Sequence, residues 1–147
     1  MIKYRYRFSA QGRETLDLAY REAQKNRHAC VDSGHLLSAL LSLGAGAGSE
    51  GFAFNLLRYV NASFGDLTTA IEQAYARRDF GEHDPQPTKG LDKIVIAAHS
   101  SRSRLSCSGI GPYHLSRGLA FVVGTPAHEI LHRFNYQPYD IRLREAL

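Results

Sequence analysis

Tryptophan does not occur in this chain, methionine occurs once, and cysteine twice, at Cys30 and Cys107. Two isolated cysteines offer no metal-type spacing and no disulfide framework, and they read as two buried free thiols. No apolar stretch outgrows the short runs at residues 36–43 and 119–124, far below the ~20 residues that a membrane span requires. The opening Met1-Ile2-Lys3-Tyr4-Arg5-Tyr6-Arg7 has no apolar signal-peptide core, so the expected location is cytoplasmic, with no membrane partner. β-Branched runs are nearly missing as well, which leaves no convincing strand.

What remains is one ordinary domain's worth of chain. Its 147 residues are 44% hydrophobic and 22% charged, enough to close a core and too apolar for disorder. The net charge of +4 permits an acidic partner or nucleic acid and demands neither.

Helical periodicity organises the chain. After Ser9, a plausible N-cap, Leu16, Ala19, Tyr20 and Ala23 form an i, i+3, i+4, i+7 stripe opposite a charged face. A second helix spans about 33 to 43, with His35, Leu36, Ala39, Leu40 and Leu43 on one face, and stops at the glycine-rich run 44–48. A third covers about 51 to 59, and a fourth runs from Asp66 as N-cap to about 77. Residues 79–87, with Pro85 and Pro87, read as a linker. Beyond it Leu91, Ile94, Val95 and Ala98 repeat the first stripe, further helices follow Pro112 and Thr125-Pro126, and a last short one lies near Asp140. The expected fold is all-α, with eight helices.

The order of caps, stripes and breaks occurs twice. An offset of 79 sets Ser9 on Thr88, Leu16 on Val95, Ala19 on Ala98, His35 on His114, Leu36 on Leu115 and Leu40 on Leu119. An offset of 74 then sets Leu56-Leu57 on Ile130-Leu131 and Asp66 on Asp140. The expected organisation is a single domain, 1–147, with one repeat at about 8–78, the linker 79–87, and a second repeat at about 88–147.

Phe8-Ser9, Ala19, Ala23, His28, Val31 and His35-Leu36-Leu37-x-x-Leu40 resemble the Clp N-terminal repeat. That repeat reads Phe-Thr, a helix with spaced alanines, Gly-His, then Gly-Thr-Glu-His-Leu-Leu-x-x-Leu. The resemblance extends over residues 7 to 147 and implies two four-helix repeats in pseudo-two-fold relation. It further implies a non-catalytic module of Clp/Hsp100 unfoldases, without cofactors, stand-alone or cut from a longer ATPase. The partners implied are protein or peptide clients, adaptor proteins, and a Clp ATPase or protease subunit. They would bind in a groove between the repeats, lined by the first helix of each and by the loops before His35 and His114. Ser9 and Thr88 match the Thr that begins each repeat, which in ClpC-like members helps to hold a phosphate. Gly34 and Tyr113 stand where those members carry the Glu residues that grip the guanidinium of phosphoarginine. At these two positions a guanidinium finds no carboxylate, so apolar or anionic ligands are favoured over basic ones.

Three motifs suggest other chemistry. His128-Glu129-Ile130-Leu131-His132 spells H-E-x-x-H, in which two imidazoles one helical turn apart could share Zn²⁺ while the Glu polarises water. The extended zincin pattern fails, because Asn135 and Pro138 stand where Gly and His belong, and only Asp140 and Glu145 follow as further ligands. A zinc hydrolase using His128 and His132 is thus an alternative to the expectation of no metal. Gly46-x-Gly48-x-x-Gly51 follows a helix rather than a strand, and no G-K-[ST] loop exists, so neither a dinucleotide site nor an ATPase is expected. Lys3-Tyr4-Arg5-Tyr6-Arg7 interleaves cations and rings as single-strand nucleic-acid binders do. The competing expectation is an extended arm whose tyrosines pack on the first helix.

Overall fold

Six helices make up most of what the computed structural model describes, which is residues 4, 6–46, 64–75, 80–81, 84–105 and 109–134. In chain order they are α1 (Ala10–Lys25), α2 (Ser33–Gly46), α3 (Phe64–Tyr75), α4 (Lys89–Leu105), α5 (Pro112–Phe121) and α6 (Pro126–Arg133). The helices expected over about 51 to 59 and near Asp140 lie outside the described residues, as does Cys107.

Helix starts follow local chemistry. Ser9 Oγ accepts the Gly12 N–H at 3.1 Å and Thr125 Oγ1 accepts that of His128 at 3.2 Å, with Pro126 opening its helix. α3 begins at Phe64 rather than at Asp66, which sits inside its first turn, where a carboxylate faces the positive end of the helix dipole. α2 runs on to Gly46, past its expected stop. It touches every other described helix, and Leu36, Leu37, Leu40 and Leu41 are all buried. With residues 33–37 and 39–41 buried, packing outweighs the entropy its terminal glycines cost. Around it the stripes close the core, with Leu16, Ala19, Leu91, Ile94, Val95 and Ala98 fully buried.

Contrary to expectation, two strands are present. β1 (Cys30–Val31) and β2 (Gln86–Pro87) pair in parallel, Cys30 with Gln86 and Val31 with Pro87. Each is two residues long, too short for alternation to register in a sequence. Strand geometry also corrects the expectation for Cys30. Val31 points into the core, so its neighbour Cys30 points out and is an exposed free thiol.

The linker is tied down where it is described. Phe80 bridges His28, and the Gly81 N–H donates to the Arg27 carbonyl at 3.0 Å. The amino-terminal arm packs on α4. The Tyr4 hydroxyl donates to Asp92 Oδ1 at 3.0 Å, and the Tyr6 ring stacks on His99 with centroids 4.3 Å apart.

Candidate functional site

Backbone crossings bring the expected site residues together in two pairs. The Ser9 N–H donates to the Ile110 carbonyl at 3.0 Å, and the Thr88 N–H donates to the Val31 carbonyl at 3.0 Å. Both partners in the second bond differ by 79 positions from their counterparts in the first. The bridges behave alike, since Phe8 pairs in parallel with Ile110 as Pro87 pairs with Val31. Ser9 therefore stands beside the start of α5, where Tyr113 is, and Thr88 beside the start of α2, where Gly34 is.

Each hydroxyl also caps its own helix. Ser9 Oγ takes the Gly12 N–H and donates to the Ile110 carbonyl at 3.3 Å, while Thr88 Oγ1 takes the Leu91 N–H at 3.2 Å. At both places a helix start with its remaining N–H groups lies against the start of a second helix, an arrangement suited to carbonyl or anionic ligands.

The two motif histidines hold these second helix starts. His35 Nδ1 accepts the Asp32 N–H at 3.0 Å, and His114 Nδ1 accepts the Gly111 N–H at 2.9 Å. Each histidine fills the role that Glu or Gln has in a capping box, an acceptor three residues into the helix for the cap N–H. Accepting at Nδ1 places the His35 proton on Nε2, which donates to His28 Nδ1 at 2.7 Å. The 3.3 Å approach of Asp32 Oδ1 to His35 Nδ1 is then a contact with a neutral ring, not an ion pair. Asp32 Oδ1 instead accepts the Gly34 N–H at 2.8 Å. Both histidines are buried, as is His28, with Tyr75 stacked on His35. They are structural.

Gly34 is buried, and Tyr113 is 46% exposed. Sequence patterning passed over Arg117 and Phe121, although their i+4 and i+8 spacing from Tyr113 was there to be read. The Arg117 guanidinium carbon lies 5.8 Å from the Tyr113 ring centre and 5.9 Å from that of Phe121. An open cleft of about 860 Å³ lies elsewhere, at the end of α1, lined by Arg27, His28, Asp84 and Gln86 among others.

The other motifs are placed as follows. His128 and His132 stack on one face of α6, ring centroids 6.2 Å apart, with Glu129 and His132 exposed. Among the described residues no group of three His, Cys, Asp or Glu side chains could hold a metal ion, and Asp140 and Glu145 lie outside them. Ile130 and Leu131 between the histidines are core residues. Gly46 ends α2, while Gly48 and Gly51 lie outside the described residues. In the basic arm the Tyr4 hydroxyl is bonded to Asp92 with its ring tilted against Phe8, and the Tyr6 ring is stacked on His99, so both side chains are engaged within the chain rather than extended as stacking platforms for bases. No described helix is long and apolar enough to cross a membrane.

Over residues 7–134 the chain matches the Clp repeat (R) N-terminal domain. A probable ATP-dependent Clp protease ATP-binding subunit from Chlamydia pneumoniae is 26% identical over 138 residues, 92% of this chain and 16% of that protein. The chain thus spans about a sixth of that relative's length. Among solved structures, the N-domain of ClpV from Vibrio cholerae is similar with a TM-score of 0.76 at 15% identity, covering 95% of this chain and 83% of that one. The Hsp104 N-terminal domain from Candida albicans gives 0.75 at 12% identity, covering 93% and 87%. Identities this low speak for the fold alone.

Proposed function

Because the chain belongs to the Clp repeat N-terminal domain family, we propose that it is a non-catalytic protein-binding module that recruits substrates or adaptors to a Clp ATPase or protease. Its two repeats, about 8–78 and 88–147 joined by 79–87, are four helices each, related by a pseudo-two-fold axis. The observation that carries this reading is the duplicated crossing, Ser9 to Ile110 and Thr88 to Val31. It joins the first helix of each repeat to the second helix of the other, and the binding groove of this reading is bordered by these equivalent surfaces of both repeats.

Partners bind there as peptide segments. Helix-start N–H groups beside Ser9 and Thr88 receive carbonyl or anionic groups, and the exposed ring of Tyr113 supplies apolar contact. Gly34 and Tyr113 put no carboxylate at the two positions that would grip a guanidinium, which favours apolar or anionic ligands over phosphoarginine. Tyr113→Glu supplies one such carboxylate. It is expected to shift preference toward arginine-containing peptides by about tenfold, the effect of one charge-assisted hydrogen bond, read by fluorescence anisotropy against a peptide array. An unchanged profile would remove Tyr113 from the groove. Capture of Clp subunits or clients by the wild-type chain, lost with Ser9→Ala and Thr88→Ala together, tests the recruiting role.

A further inference from the structure

We infer that His128 and His132 of α6 form a two-imidazole chelate for a late divalent transition-metal ion, the class of Ni²⁺, Cu²⁺ and Zn²⁺. The site is distinct from the paired helix starts and goes beyond the recruiting role proposed above.

The two residues lie at i and i+4 of one helix, which sets their Cβ atoms about 5–6 Å apart. Their rings stand side by side, centroids 6.2 Å apart and planes 9° from parallel. His132 is exposed and His128 half-buried, and neither ring has a hydrogen-bond partner among the described residues. A metal ion needs one nitrogen of each ring at about 2.0–2.1 Å. Turning the rings toward each other about their side-chain bonds supplies that geometry without breaking a hydrogen bond. The helix beneath them is firmly held. Thr125 caps it, the Ala127 N–H donates to Ser33 Oγ at 2.9 Å, and Ala127, Ile130 and Leu131 are buried in the core. Glu129, exposed three residues before His132, adds negative charge beside the pair.

The fold does not ask for imidazoles here. The other described histidines are built into it: His28 and His35 share a hydrogen bond, His114 accepts the Gly111 N–H, and His99 stacks on Tyr6. At the 74-residue offset that sets Leu56-Leu57 on Ile130-Leu131, the positions of His128 and His132 are taken by Phe54 and Arg58. The apolar pair is kept while its neighbours change, so the histidines answer to something other than the core. Their chemistry selects the ligand. Imidazole suits nickel, copper and zinc, whereas magnesium and manganese prefer oxygen. Two nitrogens fill half of a tetrahedral shell, and among the described residues no group of three His, Cys, Asp or Glu forms. That is short of the three protein ligands of a catalytic zinc site, so the pair holds a metal whose other positions take water.

The test is isothermal titration of the full 147-residue chain, without an affinity tag, with Ni²⁺, Zn²⁺ and Mg²⁺ salts, alongside thermal denaturation. One Ni²⁺ per chain is expected, Zn²⁺ is expected to bind at the same place, and Mg²⁺ is not. His128→Ala and His132→Ala are each expected to weaken Ni²⁺ binding by about tenfold or more, the loss of one ligand of two. A variant combining His132→Ala with Arg133→His keeps the number of histidines but moves the second imidazole about 100° around the helix. It is expected to bind no tighter than the single alanine variants. Saturating Ni²⁺ is expected to raise the melting temperature of the wild-type chain and to leave those of the three variants unchanged. Wild-type affinity in the rearranged variant, or in both alanine variants, marks an adventitious ion only and overturns the chelate. So does Mg²⁺ binding as tightly as Ni²⁺, or no Ni²⁺ bound up to about 1 mM. Half a metal ion per chain with a doubled mass assigns the ion to two copies and overturns the single-chain site. Each of these results leaves the peptide-binding module standing.

Discussion

Arg27 has φ of 56° where α1 ends, the left-handed conformation that glycine adopts without cost. The Arg27 and His28 N–H groups donate to the Gln24 and Ala23 carbonyls at 3.1 and 2.9 Å, the two bonds of a Schellman ending. An arginine there strains its Cβ against the backbone, so Arg27→Gly is expected to stabilise the domain by about 1 kcal/mol. Thermal denaturation checks this, and a lower melting temperature would show that the arginine side chain compensates across the cleft. Tyr4 responds to pH. Burial, and then its hydrogen bond to the Asp92 carboxylate, hold its phenol protonated well above the ordinary tyrosine range. Its proton is bound more tightly folded than unfolded, so the stability it contributes is complete below about pH 10 and declines as pH rises beyond. Tyr4→Phe is expected to be less stable at neutral pH and to show a shallower loss in alkali; parallel pH profiles would refute the coupling. Caps such as Ser9 and Thr125 were legible because one side chain and one nearby N–H decide them. Arg27 was not, since its backbone angle is imposed by the turn into β1.

Between elements the decisive contacts are close backbone approaches. α4 and α5 pack so tightly at Gly118 that a Cβ there would lie 2.5 Å from the Ile94 carbonyl oxygen. Gly118→Ala must push the helices apart, and an expected loss of about 2 kcal/mol follows from overpacking of a filled core. Denaturant unfolding measures it; a wild-type midpoint would mean that the two helices separate freely. The stripes of α1 and α4 were readable because amphipathic helices write their buried face in a 3.6-residue period. The strands β1 and β2 were not, because two residues carry no period. Nor was the seat of the tyrosine arm, since aromatic spacing tells that rings will be covered but not by which helix.

For the whole molecule, the 79-residue offset was visible as matched caps and stripes, and it reappears as matched hydrogen bonds between Ser9, Ile110, Thr88 and Val31. The family was legible from Phe8-Ser9 and the His35-Leu36-Leu37 run. The surroundings of Tyr113 were only partly so: Tyr113 stood out against a family motif, whereas Arg117 and Phe121 needed the helix to bring them beside it. That difference has a physical basis, because a fold is specified by many concordant local signals and a partner surface by a few side chains that the core leaves unconstrained. The proposal that the paired helix starts receive a peptide is tested most directly by an amide NMR titration of the ¹⁵N-labelled full chain with an amidated Gly/Ser peptide centred on Phe-Asp-Phe. Shift changes are expected to gather at residues 9–13, 32–35, 88–91 and 111–121. Changes confined to α3 and α6, or none up to about 1 mM peptide, the weak limit of specific recognition, would contradict the account.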